Sequence, residues 1–82
     1  MILKVITPNE IFFEGSVVSI VAPGGLGYLG ILKDHTPLVT AISKGNLTFR
    51  DDAGKTTTFK VEGGFLEVQN NQVLVLTDKV EA

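Results

Sequence analysis

Apolar and polar positions alternate with period two along almost the whole of this 82-residue chain. Leu3 and Val5 alternate with Ile2, Lys4 and Ile6 until Pro8-Asn9 ends the run. Ile11 to Gly15 makes a short second element. Ser16 to Ala22 makes a third, with Val18, Ile20 and Ala22 on one face and Val17, Ser19 and Val21 on the other. Pro23-Gly24-Gly25 is expected to stop it. Leu38–Ile42 and Gly45–Asp51 read as the next pair, with Lys44-Gly45 at a turn. Asp51-Asp52-Ala53-Gly54 is a second turn, since Asp suits its early positions and Gly tolerates positive φ. Thr56–Val61 returns from it, rich in β-branched residues, and Gly63-Gly64 marks a corner or bulge. Phe65–Gln69 and Gln72–Thr77 flank Asn70-Asn71, and Asn is the non-glycine residue best suited to a two-residue hairpin turn.

No stretch sustains helical spacing, and Asp34–Ala41 has room for one turn at most. The pattern predicts an all-β fold: a small antiparallel β-sandwich of about eight to ten short strands, one domain over residues 1–82. Two strands are apolar on both faces. Val73 and Val75 oppose Leu74 and Leu76, and Val17 and Val21 oppose Val18 and Ile20. A sandwich strand buries one face, so the outer apolar residues need a cover: the domain's own loops or another protein.

Composition narrows the partners. There is no cysteine, so neither disulfides nor thiolate metal sites are available. The net charge is −2 and the lysines and arginines are scattered, which gives no basic stripe for nucleic acid or anionic lipid. No apolar run is long enough for a membrane-spanning helix, and no secretory signal pattern precedes the first strand. The expectation is a soluble cytosolic domain.

Candidate chemistry is sparse. Gly25, Gly27 and Gly30 match G-x-G-x-x-G, but a dinucleotide site needs the glycines to open a helix, and Pro37 breaks any helix there. His35 is the one histidine, and the adjacent Asp34 is poorly placed to orient its ring in an extended chain. Ser16, Ser19 and Ser43 make no nucleophile constellation with it. His35 is left either to bond its own loop backbone or to touch a partner. One histidine with scattered carboxylates is no recognisable metal set. Phe12, Phe13, Phe49, Phe59 and Phe65 fall at strand positions and are core candidates. Tyr28, between glycines, is either an interface anchor or a ring packed over the sandwich edge.

Three segments together resemble a known family: Gly15-x-Val17-x-x-Ile20-x-Ala22-Pro23-Gly24, Gly27-x-Leu29-Gly30-Ile31-Leu32-x-x-His35-x-Pro37-Leu38 and Gly63-Gly64-Phe65-Leu66-Glu67-Val68. They look like the epsilon subunit of the F-type ATP synthase, called delta in mitochondria, over Leu3 to about Asp78. That resemblance implies a ten-stranded sandwich at the foot of the rotor, non-catalytic and without a cofactor. It implies binding to the gamma subunit and to the polar loops of the c-ring, on the cytoplasmic face of the bacterial inner membrane. It places Tyr28, Leu29, Lys33 and His35 near gamma or the ring. The position of Tyr28 is commonly Glu in the family, so the charged part of that contact is missing here. Typical members continue into a two-helix hairpin that can inhibit hydrolysis and in some species binds ATP. For a chain ending at Ala82 the expectation is a short form without that arm and without an ATP site, the alternative being an excised domain whose regulation lies in the part removed. The alternative function is a free-standing sandwich that binds a small ligand or glycan in a concave patch of aromatic and polar groups.

Overall fold

The computed structural model describes residues 1–82 and is built from strands alone. These are β1 (Ile2–Thr7), β2 (Glu10–Gly24), β3 (Gly27–Leu32), β4 (Leu38–Asp51), β5 (Thr56–Gln69), β6 (Gln72–Leu76) and β7 (Val80–Glu81). The sheet runs β1-β6-β5-β4-β2-β3, and an additional β1–β2 pairing closes it on itself, with β7 beside β5. All pairings are antiparallel except β1–β6.

The all-β sandwich expectation holds, with a different division of the chain. Lys44-Gly45 is not a turn: β4 runs through it, just as β2 runs through Gly15-Ser16 and β5 through Gly63-Gly64. These three strands are 14 or 15 residues long; β2 and β5 change partners along their length, while β4 stays beside β5 and adds β2 from Ile42 onward. The first half of β2 pairs with β1 and its second half with β3 and β4. β5 pairs with β7 in its first half and with β6 in its second. Counting β2, β4 and β5 once in each layer, the seven strands supply ten segments.

A strand that passes from one layer to the other must exchange its inward and outward positions. In β2 the inward residues are Phe13, Gly15 and Val17, then Ile20 and Ala22. The parity flips where the register with β4 shifts between Val17 and Ser19, so Val18 bulges outward. Val17 therefore shares the core with Ile20, contrary to a strict alternation from Ser16 to Ala22. In β4 the inward set passes from Leu38, Thr40 and Ile42 to Leu47 and Phe49. In β5 it passes from Phe59 and Val61 to Leu66 and Val68. The two inversions face each other, since Ile42 pairs with Gly64 and Lys44 with Glu62.

Glycine is required at that corner. Gly63 and Gly64 have φ of 93° and 131°, and a Cβ on Gly64 would sit 1.9 Å from the Leu76 carbonyl oxygen. Pro23 does not stop β2 either. It lies inside the strand, where the β2–β4 register shifts between Val21 and Gly24 and no ladder N–H is needed. The hydroxyl of Ser43 donates to the freed Pro23 and Gly24 carbonyls, each at 3.3 Å.

Fourteen apolar side chains, from Leu3 through Val75, form the core. One end is closed by Phe12, Phe13, Phe49 and Phe59, with ring centroids 4.5 to 6.1 Å apart. A bulge in the β1–β2 register, where Val5 pairs with Phe13 and Ile6 with Ile11, lets the consecutive Phe12 and Phe13 both join this cluster. Phe65 does not belong to the core: it points outward and is 59% exposed. The two hairpin turns expected at Asp51–Gly54 and Asn70-Asn71 form. Asp51 Oδ1 accepts the Ala53 and Lys55 N–H groups at 3.0 and 2.9 Å, and Gly54 has φ 87°. Asn70 and Asn71 take φ of 51° and 59°, the left-handed pair of a type I′ turn.

Gly64→Ala is expected to destabilise the fold by more than about 3 kcal/mol, because both backbone strain and displacement of Leu76 are imposed together. Gly30→Ala, where a Cβ meets open space, serves as the control and should be neutral or mildly stabilising. Urea unfolding of the two variants checks this.

Candidate functional site

The glycine-rich segment is a β-hairpin. Gly24 pairs with Gly27 across the two-residue loop Gly25-Leu26, and β3 runs straight on to Leu32. No helix follows the glycines, so the G-x-G-x-x-G match lacks the helix N-terminus that holds a pyrophosphate.

The four singled-out residues fall at the two ends of β3. Tyr28 is next to the hairpin loop and Lys33 follows the far end, so about 17 Å of strand separates them at 3.4 Å per residue. Tyr28 is 61% exposed and is the register partner of the buried Pro23, and its hydroxyl lies 3.3 Å from where a Cβ on Gly45 would stand. Gly45 has no side chain to obstruct that approach. Leu29 points the other way and packs half-buried against the core. Leu26, at the tip, is fully exposed.

At the far end Asp34 takes φ 63° and bonds across to the β5–β6 turn. Its N–H donates to Asn71 Oδ1 at 2.7 Å, and Asn71 Nδ2 donates to Asp34 Oδ1 at 2.9 Å. This bidentate clamp turns Asp34 away from His35. The His35 Nδ1 lies 2.7 Å from its neighbour's carbonyl, Thr36 O, and its N–H donates to Leu32 O at 3.2 Å. The imidazole thus orders its own loop, half-buried, beside the exposed Lys33. No group of three or more His, Cys, Asp or Glu side chains is placed to hold a metal ion.

Sequence reasoning missed a larger feature on the outer face of the β2-β1-β6-β5-β4 layer. Register partners Ile11, Ile6, Leu76, Phe65 and Ala41 form one outward row across five strands. Ile11, Leu76 and Phe65 are all substantially exposed. The next row is mixed, with Glu14 and Lys4 paired at 3.8 Å, then Leu74, Glu67 and Val39. The third row, Ser16, Ile2, Gln72 and Gln69, is mostly polar. An open depression of about 660 Å³ lies over these polar rows, lined by Lys4, Glu14, Glu67 and Gln72 among others, and no aromatic ring enters it. The apolar row could have been found by following register partners, but only once the bulge at Phe12 and the inversion at Gly64 were known.

The family model for the beta-sandwich domain of the ATP synthase delta/epsilon chain matches residues 1–82. The chain belongs to that family. It is 38% identical over 78 residues to the ATP synthase epsilon chain of Chlorobium limicola, covering 95% of this chain and 89% of that one. It is 43% identical over 79 residues to the epsilon chain of Desulforamulus reducens, covering 96% of this chain but 59% of that relative. The same sandwich fold recurs in solved structures. A chain of the Euglena gracilis mitochondrial ATP synthase OSCP/F1/c-ring assembly superposes with a TM-score of 0.91 at 24% identity, covering 98% of this chain and 51% of that one. A chain of the Tetrahymena thermophila central stalk and c-ring gives 0.83 at 17% identity, covering 98% and 64%. At these identities the likeness is one of fold. An epsilon chain is a subunit of the synthase complex and not itself a catalytic one.

Asn71→Gly keeps the turn geometry but removes both bonds to Asp34. It is expected to cost about 1 kcal/mol and to speed hydrogen exchange at the Asp34 amide at least about tenfold. Exchange followed by NMR checks the local effect, and a thermal melt the global one.

Proposed function

We propose that this chain is a non-catalytic rotor subunit of the F-type ATP synthase. It binds the gamma subunit and touches the polar loops of the c-ring, so that ion-driven rotation reaches the catalytic head. The observation that carries the reading is the outward apolar row Ile11-Ile6-Leu76-Phe65-Ala41 on a member of a family of complex subunits. A large exposed apolar band of this kind is what a subunit interface leaves on a separated chain.

Gamma covers this row, in our reading, with Phe65 as its central anchor. β4 leads from the His35 loop through the outward Val39 to Ala41, so Lys33 and His35 border the same contact. The opposite end of β3, with Leu26 and Tyr28, faces the ring loops and meets them by packing and a hydroxyl hydrogen bond. Leu29 supports this tip from the core side. The complex, rather than any segment of these 82 residues, holds the subunit at the cytoplasmic face of the bacterial inner membrane. No cofactor or ATP is expected to bind within residues 1–82, since the family's ATP site belongs to the helical hairpin.

Purified gamma subunit should co-elute with the chain one to one on a sizing column. Phe65→Ser is expected to weaken that complex at least about tenfold with little change in melting temperature, as for a hot-spot residue already outside the core. His35→Ala should weaken it more modestly. A folded wild-type chain that does not bind gamma would overturn the assignment. Millimolar ATP should leave the melting temperature unmoved, because a ligand that binds the folded state must raise it.

A further inference from the structure

The outer edge of β3 is free, since β3 pairs only with β2. Which backbone groups it presents follows from Pro23. Lacking an N–H, Pro23 cannot exchange two hydrogen bonds with its register partner Tyr28. The exchanging pairs are therefore Ile20–Ile31, Ala22–Leu29 and Gly24–Gly27. The N–H and C=O groups of Tyr28, Gly30 and Leu32 then point to the open side. Only the Leu32 carbonyl is engaged there, by the His35 N–H.

Natural edge strands are usually protected by lysine, proline, a bulge or a covering segment. Gly27–Leu32 carries no charge and no proline. At the other end of the same layer, β5 shows Thr56, Thr58 and Lys60 and is partly covered by β7. Apolar surface gathers at the bare edge instead. Leu26 is fully exposed, Leu32 is 64% and Tyr28 61% exposed, and Val21 lies beside Gly30 on β2. A Cβ on Gly30 would meet nothing within 4 Å, so Gly30 is an open notch in the outer face of the strand.

We propose that the β3 edge pairs with the β3 edge of a second copy of this chain, antiparallel and two-fold about Leu29. That register sets outward-pointing amides against outward-pointing amides, as a ladder requires. It places Tyr28 opposite the second copy's Gly30 and Leu32 opposite its Leu26, and the converse. Each Tyr28 ring swings by one rotamer, off its own Gly45, into the notch and against Val21. Tyr28 and Gly30 exchange four main-chain hydrogen bonds in total across the axis. A register centred on Gly30 would leave the notches facing each other, empty. The interface is self-complementary and uses the single β3 edge of each copy, so it closes at two and does not propagate. It is small, which makes the dimer weak. The pairing is a property of the free chain and does not depend on the rotor assignment.

The test is sedimentation of the 82-residue chain from about 10 μM to about 1 mM. It is read together with fluorescence of Tyr28, which is the only tyrosine in a chain without tryptophan. The expected result is a mass rising from 8.8 kDa towards twice that value, with a parallel change in Tyr28 emission. Gly30→Pro removes an edge amide without touching a β2 bond, and Gly30→Lys supplies the missing charge. Both variants should raise the dissociation constant at least about tenfold. Their melting temperatures should stay within about 4 °C of wild type. Phe65→Ser should leave the dimer intact. A mass that stays at 8.8 kDa at the top concentration overturns the proposal. So does a dimer that survives both Gly30 variants, or one lost in Phe65→Ser, which would place the contact on the apolar row.

Discussion

The contact of the Gly64 backbone with the Leu76 carbonyl is the constraint around which the rest of the sandwich is arranged. Strands as long as β4 and β5 can bury apolar side chains in both layers only if their inward and outward positions exchange midway. In β5 the exchange is made by a backbone that L side chains rarely adopt, together with an approach to β6 that leaves no room for a Cβ. Once β5 turns at Gly63-Gly64, its register partner β4 must turn at Ile42–Lys44. The turn in β4 puts Ser43 where its hydroxyl satisfies the carbonyls freed beside Pro23. The corner, the bulge in β2 and the proline are thus one linked accommodation.

Backbone irregularities of this kind also decide which apolar side chains face outward. Because β5 inverts at Gly64, Phe65 faces out and Leu66 faces in. Because β2 bulges at Phe12, Ile11 faces out while Phe12 and Phe13 both reach the aromatic cluster. The apolar row that results belongs to no single segment of sequence: its five residues come from five strands. The exposed apolar row and the core are two products of the same kind of backbone irregularity, which is why a small sandwich can carry both.

Local chemistry made the turns legible in the sequence. Asn70-Asn71 and Asp51–Gly54 adopt the geometry that their side chains favour, independent of what surrounds them. Period two revealed the fold class, and the three glycine-bearing motifs the family. Strict alternation failed where one extra residue changes parity, at Val18 and at Phe12, since nothing in a valine or phenylalanine announces a bulge. It also failed at Phe65, which is as apolar as any core residue. Residues close in sequence, Tyr28 and His35, lie at opposite ends because a strand extends where a helix would have gathered them.

β1 lies between β2, its neighbour in sequence, and β6, which it meets in parallel near the other end of the chain. The sheet therefore cannot close until Gln72–Leu76 is in place. On a ribosome the earlier hairpins can form as they emerge, but Leu3 and Val5 wait with one flank open until nearly the whole chain has been made. Folding of this subunit is completed by joining its first strand to its last long-range partner. Cleavage within the β5–β6 turn would therefore unfasten the sandwich at its closing seam.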